Sequence, residues 1–114
     1  MAHKEELYDE AVDLYADDKY DEAIEVYQRA LEIDPGYTDA LHGMVMCYQA
    51  KGDIDSAIEL TKKQIARDPD DILAFTNLSM FYQKKNMIKE AEAAGAEARR
   101  LDWKRQLRES KPKA

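Results

Sequence analysis

One cysteine, Cys47, stands alone in 114 residues. An internal disulfide framework is therefore excluded, and a reducing compartment, the cytoplasm, is the expected location. Two histidines, His3 and His42, are all the chain has, and neither has a Cys or His partner at ligand spacing, so no metal site is expected. Four glycines form no phosphate-cradling loop, and neither HExxH nor a nucleophile elbow occurs. No catalytic residue and no cofactor are therefore assigned. The carboxylates of Asp9, Glu10, Asp13, Asp17 and Asp18 crowd together without the glycine-centred loop that a Ca²⁺ site needs; they read as solvated helix faces. No apolar run approaches the roughly 18 residues of a membrane span. The opening residues Met1–Glu6 run straight into acids, so no secretory leader is expected.

Charge is plentiful, and its placement matters more than its sum. The net charge is −7. Residues 1–98 carry 10 basic and 22 acidic side chains, a net of −12, whereas residues 99–114 carry 7 basic and 2 acidic ones, a net of +5. Phosphates are repelled by the acidic body, which argues against nucleic acid as a partner. The basic end calls for an acidic counterpart, found on this chain's own body or on another copy.

The pattern that is present is a repeat. A shift of 34 residues aligns Leu7, Leu41 and Phe75; Ala23, Ala57 and Ala91; Asp34, Asp68 and Asp102; and Pro35 with Pro69. Three repeats follow, at 4–37, 38–71 and 72–105. In the first, Leu7, Ala11, Leu14 and Tyr15 recur at helical spacing, and Tyr20, Ala23, Ile24, Tyr27, Ala30 and Leu31 do so again, which predicts two amphipathic helices per repeat. Between them Asp18, Gly52 and Asn86 share one repeat position, suited to a left-handed turn. Asp21 and Asp55 fall near helix N-termini, where negative charge is favoured. Asp-Pro at 34–35 and 68–69 ends the second helix of its repeat. Helices are predicted at 5–17, 21–33, 38–51, 55–67, 72–85 and 88–109. Cys47, between Met46 and Tyr48 on a first helix, reads as a small buried hydrophobe.

These residues resemble the tetratricopeptide repeat family over about nine-tenths of the chain. Leu7, Ala11, Leu14, Ala23, Tyr27, Ala30 and Pro35 carry the likeness in the first repeat, Leu41, Met44, Val45, Tyr48, Ala57 and Pro69 in the second, and Phe75, Leu78, Ser79, Tyr82, Ala91 and Ala98 in the third. Thr61, Gln64 and Trp103 depart from it. The resemblance implies an all-α, right-handed α-solenoid of three helix-turn-helix motifs, a single domain over 1–109 with a basic tail at 110–114. With Trp103 in place of proline, the last helix is expected to run on, Leu101, Trp103 and Leu107 forming a cap.

The resemblance also implies a non-enzymatic module or adaptor that binds a peptide or helix of another protein in a groove lined by first helices. The groove residues are then Tyr8, Val12 and Tyr15; His42, Met46 and Gln49; and Leu73, Thr76, Asn77, Met80 and Gln83. The blander alternative is that Tyr8, Met46 and Met80 only pack between adjacent first helices. At the positions where co-chaperone members carry a cationic carboxylate clamp, Tyr8, Val12, Gly43, Leu73 and Asn77 supply no positive charge, so Hsp70/Hsp90 tails are not expected partners. A second face follows from the third repeat. Gly95 stands where the first repeat has Tyr27, and Ala94, Gly95, Ala98, Trp103 and Leu107 make a candidate association face. The alternative reading is accordingly a structural subunit that self-associates, or docks in a larger complex, through its C-terminal helix.

Overall fold

A computed structural model describes residues 3–110. They form six helices: α1 (Lys4–Ala16), α2 (Tyr20–Ile33), α3 (Thr38–Lys51), α4 (Ile54–Arg67), α5 (Ile72–Lys84) and α6 (Ile88–Ser110). Every boundary lies within a residue of the one predicted from periodicity. No strand occurs among the described residues, and no helix among them is long and apolar enough to cross a membrane. The chain is all-α. Of the basic tail expected at 110–114, Ser110 closes α6 and the rest lies outside the described residues.

The turn inside each repeat is built the same way three times. Asp18, Gly52 and Asn86 have φ of 62°, 82° and 61°, the left-handed conformation that ends a helix by letting the chain fold back on its last carbonyls. The following amide then donates to a carbonyl five residues earlier: Lys19 to Leu14 at 2.9 Å, Asp53 to Tyr48 at 2.9 Å and Met87 to Tyr82 at 2.8 Å. The loops between repeats rest on aspartate. The Gly36 amide donates to Asp34 Oδ1 and the Asp70 amide to Asp68 Oδ1, both at 3.1 Å, so each side chain stabilises the turn around its proline. In the third repeat Asp102 has no proline after it. It accepts instead from Arg105 at 2.7 Å and Gln106 at 2.9 Å, and α6 continues.

Two N-termini are capped by side chains: Asp53 accepts from the Ser56 amide and hydroxyl ahead of α4, and Asp71 accepts from the Ala74 amide at 3.1 Å ahead of α5. Each satisfies an amide with no partner inside its helix. Asp21 and Asp55 sit in first turns, as expected, and act through charge.

The chain divides into two compact units, one through Leu60 and one from Thr61 onward. In the first, Leu7, Ala11, Ala23, Val26, Tyr27, Ala30, Ala40, Met44 and Cys47 form one buried cluster. Its alanines mark close helix approaches, and Gly43 marks one too close for any Cβ: an added methyl there would meet Tyr27 Cε1 and Oη at 2.6 Å. Burial pushes the Cys47 thiol up to about 11, so it stays protonated at neutral pH and packs as a hydrophobe. In the second unit α5 packs on α6, burying Leu78, Phe81, Tyr82, Ala91, Ala94, Ala98 and Leu101. The Ser79 hydroxyl ties the two helices by donating to the Ala91 carbonyl at 2.8 Å. Thr61 and Gln64 are buried as well, and the Gln64 amide group finds no hydrogen-bond partner among the described residues.

Candidate partner-binding surfaces

In the first unit the candidate residues lie on α1 and α3, which contact each other. Val12 and Met46 hold equivalent repeat positions and are 39% and 44% exposed, apolar side chains left in water. Tyr8 and Tyr15 are half-buried, each with part of its ring against the core cluster. The Tyr8 ring lies 5.9 Å from that of Tyr27 and 5.8 Å from that of Tyr37; Tyr15 lies 5.4 Å from Tyr20. His42 and Gln49 are half-buried beside Met46 in the sequence of α3. The surface therefore combines two protruding apolar residues with ring edges and amide or imidazole groups, a mixture suited to holding another chain.

Periodicity does not single out Tyr37. It closes the first repeat where the other repeats have Asp71 and Arg105, so the 34-residue pattern carries no signal there. Lys4 Nζ sits 4.8 Å from the Tyr37 ring centroid and 2.6 Å from Asp34 Oδ2. The hydrogen bond to Asp34 raises the lysine pKa, while burial is the leading cause that raises that of Tyr37.

In the second unit the corresponding residues come from α5 alone. Leu73, Thr76 and Gln83 are exposed, and Asn77 and Met80 half-buried. The Thr76 hydroxyl donates to the Ile72 carbonyl at 3.0 Å, within its own helix.

The same unit holds a cleft of about 390 Å³ between α5 and α6, lined by Ser79, Gln83, Ile88, Glu92, Gly95 and Arg99 among others. Thr76, Met80 and Ala98 extend its rim in a second, overlapping hollow of about 360 Å³. A Cβ on Gly95 would lie 3.3 Å from Ser79 Oγ and 3.4 Å from Arg99 Nη1. The guanidinium is thus folded toward the space that a larger side chain at 95 would take. The repeat pattern points to Gly95, whereas by sequence Arg99 is one residue of a basic end. Along α6, Ala94 and Ala98 are buried, whereas Trp103 and Leu107 are 61% and 47% exposed; Leu101 alone of the extension's apolar residues is buried.

No group of three or more potential metal ligands occurs among the described residues.

The profile of the tetratricopeptide repeat matches residues 14–79. A sequence search against curated proteins finds no significant match. Among solved structures, MamA superposes with a TM-score of 0.85 over 92% of this chain at 27% identity. This chain spans only 61% of the MamA length. The Yersinia enterocolitica type III secretion chaperone SycD, solved in complex with a peptide of the translocator YopD, superposes at 0.77 with 27% identity, covering 85% of this chain and 74% of its own. PcrH from Pseudomonas aeruginosa superposes at 0.78 over 86% of this chain and 74% of its own at 20% identity, a likeness of fold.

Proposed function

The chain belongs to the tetratricopeptide repeat family, and on that premise we propose that it is a non-enzymatic adaptor that holds an extended or helical segment of a partner protein. The observation that carries this is the pair Val12 and Met46. They occupy the same position in successive repeats, on first helices in contact, and both keep their apolar side chains in water. Two such side chains on neighbouring helices, bordered by aromatic and polar groups, give an apolar centre for a partner to cover. Tyr8 and Tyr15 flank Val12 one helical turn either way, and His42 and Gln49 flank Met46 likewise. The bound segment therefore presents apolar side chains at the centre and hydrogen-bonding groups at the edges. On α5, Leu73, Thr76, Asn77, Met80 and Gln83 offer a further face of similar make-up. SycD, a relative in fold, is solved with a peptide of the translocator YopD, which supports a peptide as the class of ligand.

The proposed ligand is not the carboxylate tail of Hsp70 or Hsp90, since Tyr8, Val12, Gly43, Leu73 and Asn77 bring no cation to offset the desolvation of a carboxylate. The lone protonated thiol, Cys47, suits work in the cytoplasm.

Peptide display on the full chain tests the reading. Selected peptides should carry apolar residues, and Val12→Glu with Met46→Glu should weaken their binding by more than about tenfold, since losing even one of the two anchors costs about that much, with helix content unchanged. Equal binding by the double variant would move the site elsewhere and sink the proposal.

A further inference from the structure

We propose that a second copy of this chain docks its α1 on the α5–α6 cleft, in the register that α3 takes on α1 and α2. Within the first unit, α3 buries Ala40, Met44 and Cys47 against a surface that includes Ala11, Ala23 and Tyr27. One tight point is Tyr27 over Gly43: the ring fills the space, and the glycine yields it. Both sides of that contact recur in the repeat, each with its chemistry changed.

On the receiving side, a shift of 68 residues carries Ala11, Ala23 and Tyr27 to Ser79, Ala91 and Gly95. These three line the cleft of about 390 Å³. On the entering side, a shift of 34 residues back carries Ala40, Gly43, Met44 and Cys47 to Glu6, Asp9, Glu10 and Asp13. All four are exposed. The face that α3 buries as apolar residues is therefore, on α1, a row of acids.

The tight pair is inverted. Tyr27 over Gly43 becomes Gly95 facing Asp9: the side that supplied bulk now supplies room, and the side that supplied room now supplies a carboxylate. At that point stands a cation. Arg99 Nη1 lies 3.4 Å from the place a Gly95 Cβ would take. The ion pairs along α6 join Arg100 to Glu97 and Arg105 to Asp102, with Glu109 at 4.0 Å from Arg105; none of these engages Arg99. Glu92 is the one acid lining the cleft, two helical turns before Arg99. Residues 99–114, which Arg99 opens, carry +5, and the matching face of α1 presents four acids, so opposed charge steers association.

The two surfaces differ, so the contact is heterologous. A copy that gives its α1 keeps its cleft free for another, and association continues into rings or open chains. The cleft shares Gln83, and its rim Thr76 and Met80, with the α5 face. Neither Asp9 nor Arg99 belongs to the Val12 and Met46 position that carries the peptide-binding reading, so their variants test this contact separately.

Light scattering on the full chain, from micromolar to near-millimolar concentration at low salt, tests it. The mass should climb past a dimer as concentration rises. Asp9→Arg and Arg99→Asp should each weaken association by more than about tenfold, the scale of a reversed close charge pair. The two changes in one chain, or an equal mixture of the two single variants, should bring association back. Circular dichroism checks that each variant stays helical, as expected for two exposed positions. A wild-type chain that remains monomeric, a discrete dimer that grows no further, single variants that associate like wild type, or a double variant that fails to recover would each overturn the proposal; so would a monomer whose cleft takes a displayed peptide instead.

Discussion

Gly43 shows how one residue can set the spacing of two helices. Its missing Cβ is the room in which the Tyr27 ring lies, and Tyr27 in turn is nearly inaccessible, its hydroxyl pKa raised chiefly by burial. Gly43→Ala forces α3 away from α2 or the ring out of its rotamer, and overpacking of this kind costs about 1–3 kcal/mol. Urea denaturation should show that loss, although alanine is the better helix former by about 1 kcal/mol. A wild-type midpoint in the variant would mean the ring moves freely. Gln64 is the opposite case. It fills a position that the other repeats give to Ala30 and Ala98, and it buries both polar atoms of its amide without a partner. Gln64→Met keeps the length and removes the unsatisfied groups, each of which carries a desolvation cost of about 1–3 kcal/mol. Thermal unfolding should therefore move up by several degrees; a fall would show that the amide is satisfied by bound water.

At the scale of the element, α6 is two helices in one. As far as Leu101 it alternates buried and exposed positions against α5; beyond Leu101 nearly every residue is exposed. The later part is held by its own backbone and by the pairs of Asp102 with Arg105 and Gln106. Exposed pairs of this kind contribute only a few tenths of a kcal/mol, and a single helical stretch of this length is marginal in water. Amide hydrogen exchange should therefore be slow up to Leu101 and fast from Trp103 to Ser110, measured at low concentration. Equal protection along the whole helix would show that Trp103 and Leu107 are covered. The sequence foretold that α6 would run on, because proline is missing at 103. The cap expected of Leu101, Trp103 and Leu107 does not form: Leu101 is buried, but Trp103 and Leu107 are 61% and 47% exposed. Trp103, whose repeat equivalents are prolines, carries no periodic signal of which way it faces.

For the whole molecule, charge is the quantity to watch. An excess of twelve acids over bases across residues 1–98 repels itself more strongly in the folded chain than in the expanded one. Raising ionic strength from about 0.01 M to 0.15 M shortens the screening length from about 30 Å to about 8 Å. The unfolding midpoint should rise as that repulsion is screened. A midpoint that falls instead would mean that ion pairs such as Lys4–Asp34 and Lys51–Asp21 contribute more than the bulk repulsion removes. Association between copies through Asp9 and Arg99 would weaken over the same range, so salt is expected to move stability and assembly in opposite directions.

Helix count, helix boundaries, the left-handed turn positions and the burial of Ala11, Ala23, Ala30 and Cys47 were all determined by the sequence, because each is a local or periodic property. A 34-residue repeat states three times which face of each helix must be hidden. What the repeat cannot state is whatever occurs once. Tyr37 joins Tyr8 and Lys4 only through the path of the loop after Pro35. Gln64 loses its partners only when neighbouring segments close over it. Arg99 reads as one more basic residue near the end of the chain until α6 packs on α5 and lays its guanidinium beside Gly95. Periodicity encodes contacts made by equivalent residues; contacts between residues that have no equivalents are decided by three-dimensional packing alone.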